Sequence, residues 1–379
     1  MEQDFSLEEY LNKGVEDIIK GALKASLKNP KESIFITRFS LAVREARKTR
    51  YTYEKNGIHI PPFLIASITS SCNLHCTGCY ARANHLCHEQ GTDPMLAVQD
   101  WDRIFTEASG LGISFILLAG GEPMLRRDVM DAASVHNDIL FPVFTNGTLF
   151  REDYLKLFDR KRNLLPILSL EGDEKYTDIR RGEGIYRKLT EAMESMNKKG
   201  ILFGTSITVT RENLPDITEA AFMEKLYRMG CKVVFLVEYV PVNSEIKGLA
   251  PTEEDRIYLE ERLFLLRKQY ENMIFISFPG DEKSSGGCLA AGRGFFHINP
   301  AGGTEPCPFS PFSDMNLKNS SILEALKSPL FRKLKESSML MKEHAGGCVL
   351  FQQEEEVRKL TEFDSWEAVS EKTRIKKIR

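Results

Sequence analysis

No stretch of this 379-residue chain stays apolar for the about 18 residues that a membrane-crossing helix needs, so a membrane-spanning protein is not expected. An excess of either charge is missing too. Lys and Arg number 51 against 54 Asp and Glu, a net −3, which gives no overall pull toward nucleic acid or anionic lipid. The opening Met1-Glu2-Gln3-Asp4 lacks the basic-then-apolar order of a secretory signal. A cytoplasmic location is therefore expected, where thiols stay reduced and grouped cysteines mean metal or catalysis more often than disulfides. What is present is the composition of a soluble globular protein, 42% hydrophobic and 28% charged, with ample chain for a buried core.

The chain has eight cysteines, and six fall into two groups. Cys72, Cys76 and Cys79 form a C-x3-C-x2-C loop directly after an apolar run, Phe63 to Ile68, that reads as a β-strand. Three thiolates on one tight loop can hold three irons of a [4Fe–4S] cube, whose fourth iron then lacks a protein ligand. A small molecule can coordinate there and receive an electron. A zinc knuckle or a structural cluster is the plainer alternative, although zinc loops usually use C-x2-C pairs.

Residues 1–60 read as a helical extension. Ser6 with Glu9 resembles a capping box, and a second helix from Ser33 to about Lys55 carries Arg38, Arg44, Arg47, Lys48, Arg50 and Lys55. That basic stripe suits an acidic partner or a phosphate backbone, or, as the preferred reading, a solvated face. Over 61–272 the chain alternates strand and helix, with strands expected at 63–70, 114–119, 141–145, 166–171, 203–210 and 232–240. The intervening helical stretches are 97–110, 127–138, 151–160, 184–199 and 213–229, followed by 252–271. No hairpin chemistry separates these strands, so six β–α units argue for parallel strands.

The strand ends carry the polar motifs. The second strand ends in Gly120-Gly121-Glu122-Pro123, where two glycines let backbone approach a ligand. By itself this is a common turn. Asn146 follows the third strand, and Ser169 and Glu171 end the fourth. Arg180 and Arg181 come next, either clamping a carboxylate or lying on a solvated loop. Asn213 is placed to cap the helix after the fifth strand. Glu238 and Tyr239 close the sixth and are candidates for proton handling or substrate contact. Cys87, eight residues beyond Cys79, is a candidate hydrogen-atom donor or spare ligand; Cys231 reads as a buried small hydrophobe.

The C-x3-C-x2-C loop with the aromatic Tyr80 beside it, followed one strand later by Gly-Gly-Glu-Pro, resembles the signature of the radical S-adenosylmethionine (radical SAM) superfamily. The resemblance implies a partial (β/α)6 TIM-type barrel of α/β class, with the chemistry at the carboxyl ends of the strands. It implies that Cys72, Cys76 and Cys79 hold a [4Fe–4S] cluster. Tyr80, Gly120, Gly121, Glu122, Pro123, Asn146, Ser169, Glu171 and Arg181 would then surround S-adenosyl-L-methionine. Glu171 stands where relatives usually have Asp.

Past residue 272 the pattern changes. A strand at 274–278 leads to Cys288, and a hairpin over 295–299 and 304–307 brings Cys288 and Cys307 together. The spacing Cys288-x13-Gly302-x4-Cys307 is similar to the opening of the SPASM extension, which holds auxiliary [4Fe–4S] clusters in radical SAM enzymes. Cys348 matches its last cysteine, while His344, Ser338 and Lys335 stand where three others would. The expectation is a shortened, twitch-type extension over 273–350 with one auxiliary cluster on Cys288, Cys307 and Cys348. Its fourth ligand would be a substrate, water, His344 or another side chain; a Cys3His zinc site is the alternative. Residues 322–335 read as helical with a break before Pro329, and 351–379 as a helix with a basic tail.

The activity implied is reductive cleavage of S-adenosylmethionine to a 5′-deoxyadenosyl radical, which abstracts hydrogen from a peptide or protein side chain. The electron donor would be a reduced flavodoxin or ferredoxin. Small-molecule biosynthesis of molybdopterin or haem type is the second reading. An iron–sulfur carrier or scaffold, and a zinc-dependent nucleic-acid binder, are the readings from other classes.

Overall fold

The structure, a computed structural model, describes residues 6–27, 29–84, 87, 94–242, 248–341 and 348–361. Seven parallel strands follow one another in chain order: β1 (Phe63–Thr69), β2 (Phe115–Gly120), β3 (Phe141–Thr145), β4 (Leu164–Leu170), β5 (Gly204–Val209), β6 (Val233–Glu238) and β7 (Ile274–Phe278). Two short strands complete the sheet on the far side of β1. These are β8 (His297–Ile298), parallel to β1, and β9 (Thr304–Glu305), antiparallel to β8. The order β7-β6-β5-β4-β3-β2-β1-β8-β9 leaves the two outer strands unpaired with each other, so the barrel is open. Its strands are buried on both faces, which is why Phe141-Pro-Val-Phe and Val233-Val-Phe-Leu-Val read as continuous apolar runs.

The six strands expected from sequence lie within a residue or two of the observed ones. Two pairings were not anticipated. The 274–278 strand, expected with the C-terminal extension, pairs in parallel with β6 from Val233↔Ile274 to Val237↔Phe278. The 295–307 hairpin joins the opposite edge through Ile65↔His297. Periodicity identifies a strand but not its neighbour. The amphipathic stretch 213–229 is two helices, Leu214–Ile217 and Ala220–Arg228, because the Thr218 hydroxyl turns back to the Leu214 carbonyl and ends the first. The helix expected over 127–138 stops at Ala133. The break before Pro329 is present: Ser328 caps the helix Pro329–Glu336 by accepting from the Phe331 N–H.

At the amino ends of the strands lie two long helices, α1 (Leu7–Ser26) and α2 (Pro30–Lys55). Ser6 accepts from the Glu9 N–H, one half of the expected box. Pro30 at the first position starts α2 three residues before the expected Ser33. Their inner faces, Val15, Ile19, Phe39 and Val43, form one cluster with Phe115, Leu140, Leu165 and Val233, residues that begin or precede strands. The helix pair thus closes the bottom of the barrel and leaves its carboxyl end for chemistry. The basic stripe divides accordingly. Arg38, Arg44, Arg47 and Lys48 are exposed, with Arg47 and Lys48 paired to Glu16 and Glu45. Arg50 departs from the solvated-face reading: it is buried and donates to the Gly112 carbonyl and to Asn12. Burial pushes its guanidinium down to about 10.

Candidate active site

The first cysteine loop begins three residues after β1 ends at Thr69. Backbone contacts hold it open in one shape. The Arg82 guanidinium donates to the Leu74 carbonyl at 2.7 and 3.2 Å. The Thr77 N–H donates to the Arg180 carbonyl at 2.9 Å, and Arg180 Nε returns a bond to the Thr77 carbonyl at 3.1 Å. Cys72, Cys76 and Cys79 are half-buried, with free thiols. Two of the sulfurs have N–H groups directed at them, Asn146 Nδ2 at 4.0 Å from Cys72 and Arg181 Nη1 at 3.9 Å from Cys76. Such donors stabilise thiolate charge. Cys87 is buried with its thiol against Cys72, an interaction that lowers Cys72 and raises Cys87.

Gly120 and Gly121 abut this loop. A side chain at Gly121 would place Cβ 2.1 Å from the Ser71 carbonyl oxygen, and Gly120 has φ +116 with its own Cβ position 2.5 Å from the Thr69 oxygen. Only glycine lets the two turns pass so closely. Both remain half-exposed, whereas Glu122 and Pro123 are buried. The Glu122 carboxylate accepts from the Thr145 hydroxyl at 2.7 Å, the Asn146 N–H at 2.7 Å and the Met124 N–H at 3.0 Å. It therefore locks the glycine turn to the end of β3 and has no oxygen turned toward a ligand. Burial pushes it up to about 7. Asn146 is similarly engaged: its amide donates to Asn73 at 2.9 Å and its oxygen accepts from Thr148.

At β4 the structure revises the expected roles. Ser169 is half-exposed, opposite Ser206 of β5. Glu171, expected to face ligand, is 1% exposed and bound to both arginines. Arg181 Nε reaches Glu171 Oε1 at 2.8 Å, and the Thr208 N–H donates to Oε2 at 3.1 Å. Arg180 and Arg181 end the helix Glu174–Arg181, a helix not foreseen, so they do not lie on a solvated loop. Asn213 stands at the N-cap position as expected, but its side chain makes no capping bond; its amide bridges the Glu171 and Thr208 carbonyls, each at 2.9 Å. Glu238 is held by Arg256, with Nε at 2.8 Å. Tyr239 is buried, and its hydroxyl has no partner among the described residues.

The second cysteine group lies in one cavity, where Cys288, Cys307 and Cys348 are joined by Glu238, Glu282 and Phe309. Burial raises the Cys288 and Cys307 thiols. The Phe309 ring meets Tyr80 edge-on at 5.0 Å and so links the two cysteine groups. A fully buried chain adds a second link: His297 joins Ser67 of β1 and Glu305 of β9, each at 2.7 Å. Ser338 and Lys335 lie on helical turns, and His344 falls outside the described residues, as does the basic tail. Among the described residues, no three or more His, Cys, Asp or Glu side chains converge as ligands of a single metal ion would. Ligands of a cube sit on separate irons and need no such convergence.

Glu282 carries no signal in the sequence. It follows Gly280-Asp281 in what reads as a polar turn, yet it is 7% exposed. Burial, with Cys348 beside it, pushes its carboxyl up to about 8. No periodicity or motif signals this.

Residues 66–226 match the family described as the radical SAM superfamily. An AdoMet-dependent heme synthase from Methanosarcina barkeri is 24% identical over 306 residues, which are 74% of this chain and 86% of that protein. Mycofactocin maturase MftC from Mycolicibacterium smegmatis is 24% identical over 311 residues, 78% of this chain and 76% of its own length. The fold is similar to that of Streptococcus suis SuiB bound to precursor peptide SuiA, with a TM-score of 0.64 at 19% identity, covering 80% of this chain and 76% of that one.

Proposed function

From the match of residues 66–226 to the radical SAM superfamily, we propose that this chain is a radical SAM enzyme that abstracts hydrogen from a peptide substrate bound over the carboxyl ends of β4 to β6. The family implies a [4Fe–4S] cluster and S-adenosylmethionine. The residues present fit the cluster: three free thiols on one loop, half-exposed, with N–H donors from Asn146 and Arg181 on two of them. In this reading Cys72, Cys76 and Cys79 hold it. When bound, the cluster and S-adenosylmethionine supply the electron transfer and bond cleavage that generate a 5′-deoxyadenosyl radical.

The chain's own residues do the placing. Gly120 and Gly121 offer backbone to the methionyl group of S-adenosylmethionine, held in register by Glu122. Glu171 orients Arg181 toward Cys76, so its role is positioning rather than ligand contact. Ser169 is the half-exposed hydroxyl available to the methionyl carboxylate. The Tyr239 hydroxyl, buried and without a partner among the described residues, is a candidate for contact with a substrate polar group only if that group reaches beneath the surface. Cys288, Cys307 and Cys348 hold an auxiliary cluster, and reduced flavodoxin or ferredoxin supplies the electron.

The observation that carries the reading is the convergence of the thiol loop, the glycine turn and Arg181 at one end of the barrel. A peptide substrate is supported by the likeness to a mycofactocin maturase and to a structure that holds a precursor peptide. The likeness to a heme synthase supports a small-molecule substrate as the second reading. The test is anaerobic reconstitution with iron and sulfide, followed by S-adenosylmethionine and dithionite. The wild-type chain is expected to release 5′-deoxyadenosine and Cys76→Ala none; equal release from both would refute the assignment.

A further inference from the structure

The second cysteine group supplies three thiols, one fewer than a four-iron cube has irons. We propose that the Glu282 carboxylate is the fourth protein ligand of that site. The inference rests on the reading that Cys288, Cys307 and Cys348 hold an auxiliary iron–sulfur cluster.

Glu282 sits on the tight turn Gly280–Ser285 that follows β7, and the turn is pinned from several sides. Asp281 accepts from the Ser277 N–H at 2.8 Å and pairs with Arg267 at 2.8 Å, while its carbonyl accepts from Tyr10 at 2.5 Å. The Glu282 N–H donates to the Pro279 carbonyl at 2.8 Å, and Ser285 donates to the Glu282 carbonyl at 2.6 Å. Asp281 is thereby held at the surface, and its neighbour is sent inward.

There the carboxylate lines the cavity shared by Cys288, Cys307 and Cys348. Oxygen Oε1 has no hydrogen-bond partner among the described residues. No ion pair to Glu282 forms among them either. Arg293, the cation whose charge reaches it, instead donates to the carbonyls of Ser285, Gly286 and Cys288. Glu238 lines the same cavity but is already bonded to Arg256. A carboxylate buried without a counter-charge is strongly disfavoured. The Leu289 N–H and the Cys288 thiol already meet the group, so an iron at the cavity would supply the missing charge and the partner that Oε1 lacks, and carboxylate oxygen is an accepted ligand for such cations. The donor set becomes three soft sulfurs and one hard oxygen. A site of that kind holds one iron less firmly than the other three.

The test uses the full chain carrying Cys72→Ala, Cys76→Ala and Cys79→Ala, which leaves the second site as the only cluster. Glu282, E282Q and E282C forms are reconstituted anaerobically, and iron, sulfide and the electron paramagnetic resonance spectrum after reduction are recorded, with circular dichroism as the check on folding. The Glu282 form is expected to retain four irons. E282Q keeps the shape without the ligand. It is expected to show altered g-values and to lose one iron in four to a chelator at least about tenfold faster. E282C, supplying a fourth thiolate, is expected to restore retention with a third, distinct spectrum. Identical spectra and release rates for Glu282 and E282Q would overturn the proposal. A parent that binds no iron at all would overturn it together with the auxiliary-cluster reading, and a parent that keeps four irons while E282Q matches it would overturn the ligand alone.

Discussion

The two cysteine groups of this chain differ in what surrounds them: burial raises one thiol of the first, Cys76, and two of the second, Cys288 and Cys307. The first lies half-exposed on a loop, between an arginine and an asparagine whose N–H groups point at sulfur. Its neighbouring carboxylates, Glu122 and Glu171, are fully satisfied by hydroxyls, backbone N–H groups and two arginines. In the second, Cys288 and Cys307 are buried beside a carboxylate that has an unmet oxygen. Under the proposed function, the difference teaches what each place is suited to. A site meant to exchange a small ligand needs an opening and donors that hold thiolate charge without blocking it. A site meant to hold a group permanently can be sealed, and can leave its own acid for that group to neutralise.

The comparison breaks most visibly at the two carboxylates. Glu171→Gln removes the charge that Arg180 and Arg181 share while keeping the shape. Breaking a buried pair on one side costs about 3–5 kcal/mol, and anaerobic denaturant unfolding of the apo chain is expected to show a loss of that size. The same exchange at Glu282, which has no charged partner among the described residues, is expected to leave the apo chain's stability unchanged or improved. Equal losses at both positions would erase the distinction. A smaller effect sharpens it on the exposed side. Gly121→Ala drives a methyl into the Ser71 carbonyl and must displace the thiol loop. Misplacing a reacting centre by about 1 Å costs on the order of 100-fold in rate, so 5′-deoxyadenosine formation is expected to fall by that factor. The iron at the second group should stay in place, as metal analysis would show.

Much of this arrangement could be read from residues alone, and the exceptions share a cause. Apolar runs and the polar residues that end them are local, so β1 to β6 and the position of the glycine turn were legible. What side chains do once the chain is closed is not local. Glu122 and Glu171 stand where a ligand would be met, but β3 and the helix Glu174–Arg181 supply donors that consume both carboxylates. Arg50 looked like one more cation on a solvated helix until Gly112 and Asn12 came to meet it. β7 and β8 were recognisable as extended, yet their places at opposite edges of the sheet depend on pairing across many residues. Glu282 is the clearest case, since a carboxylate after Gly-Asp gives no sign of being turned into a cavity.

The central claim is that two different clusters occupy the two groups, and Mössbauer spectroscopy of anaerobically prepared, iron-57-loaded chain tests it most directly. Iron for two cubes is expected, about eight per chain, in two equal populations, of which only the one on the exposed loop changes when S-adenosylmethionine is added. Iron for a single cube, or zinc in place of iron on Cys72, Cys76 and Cys79, would contradict it.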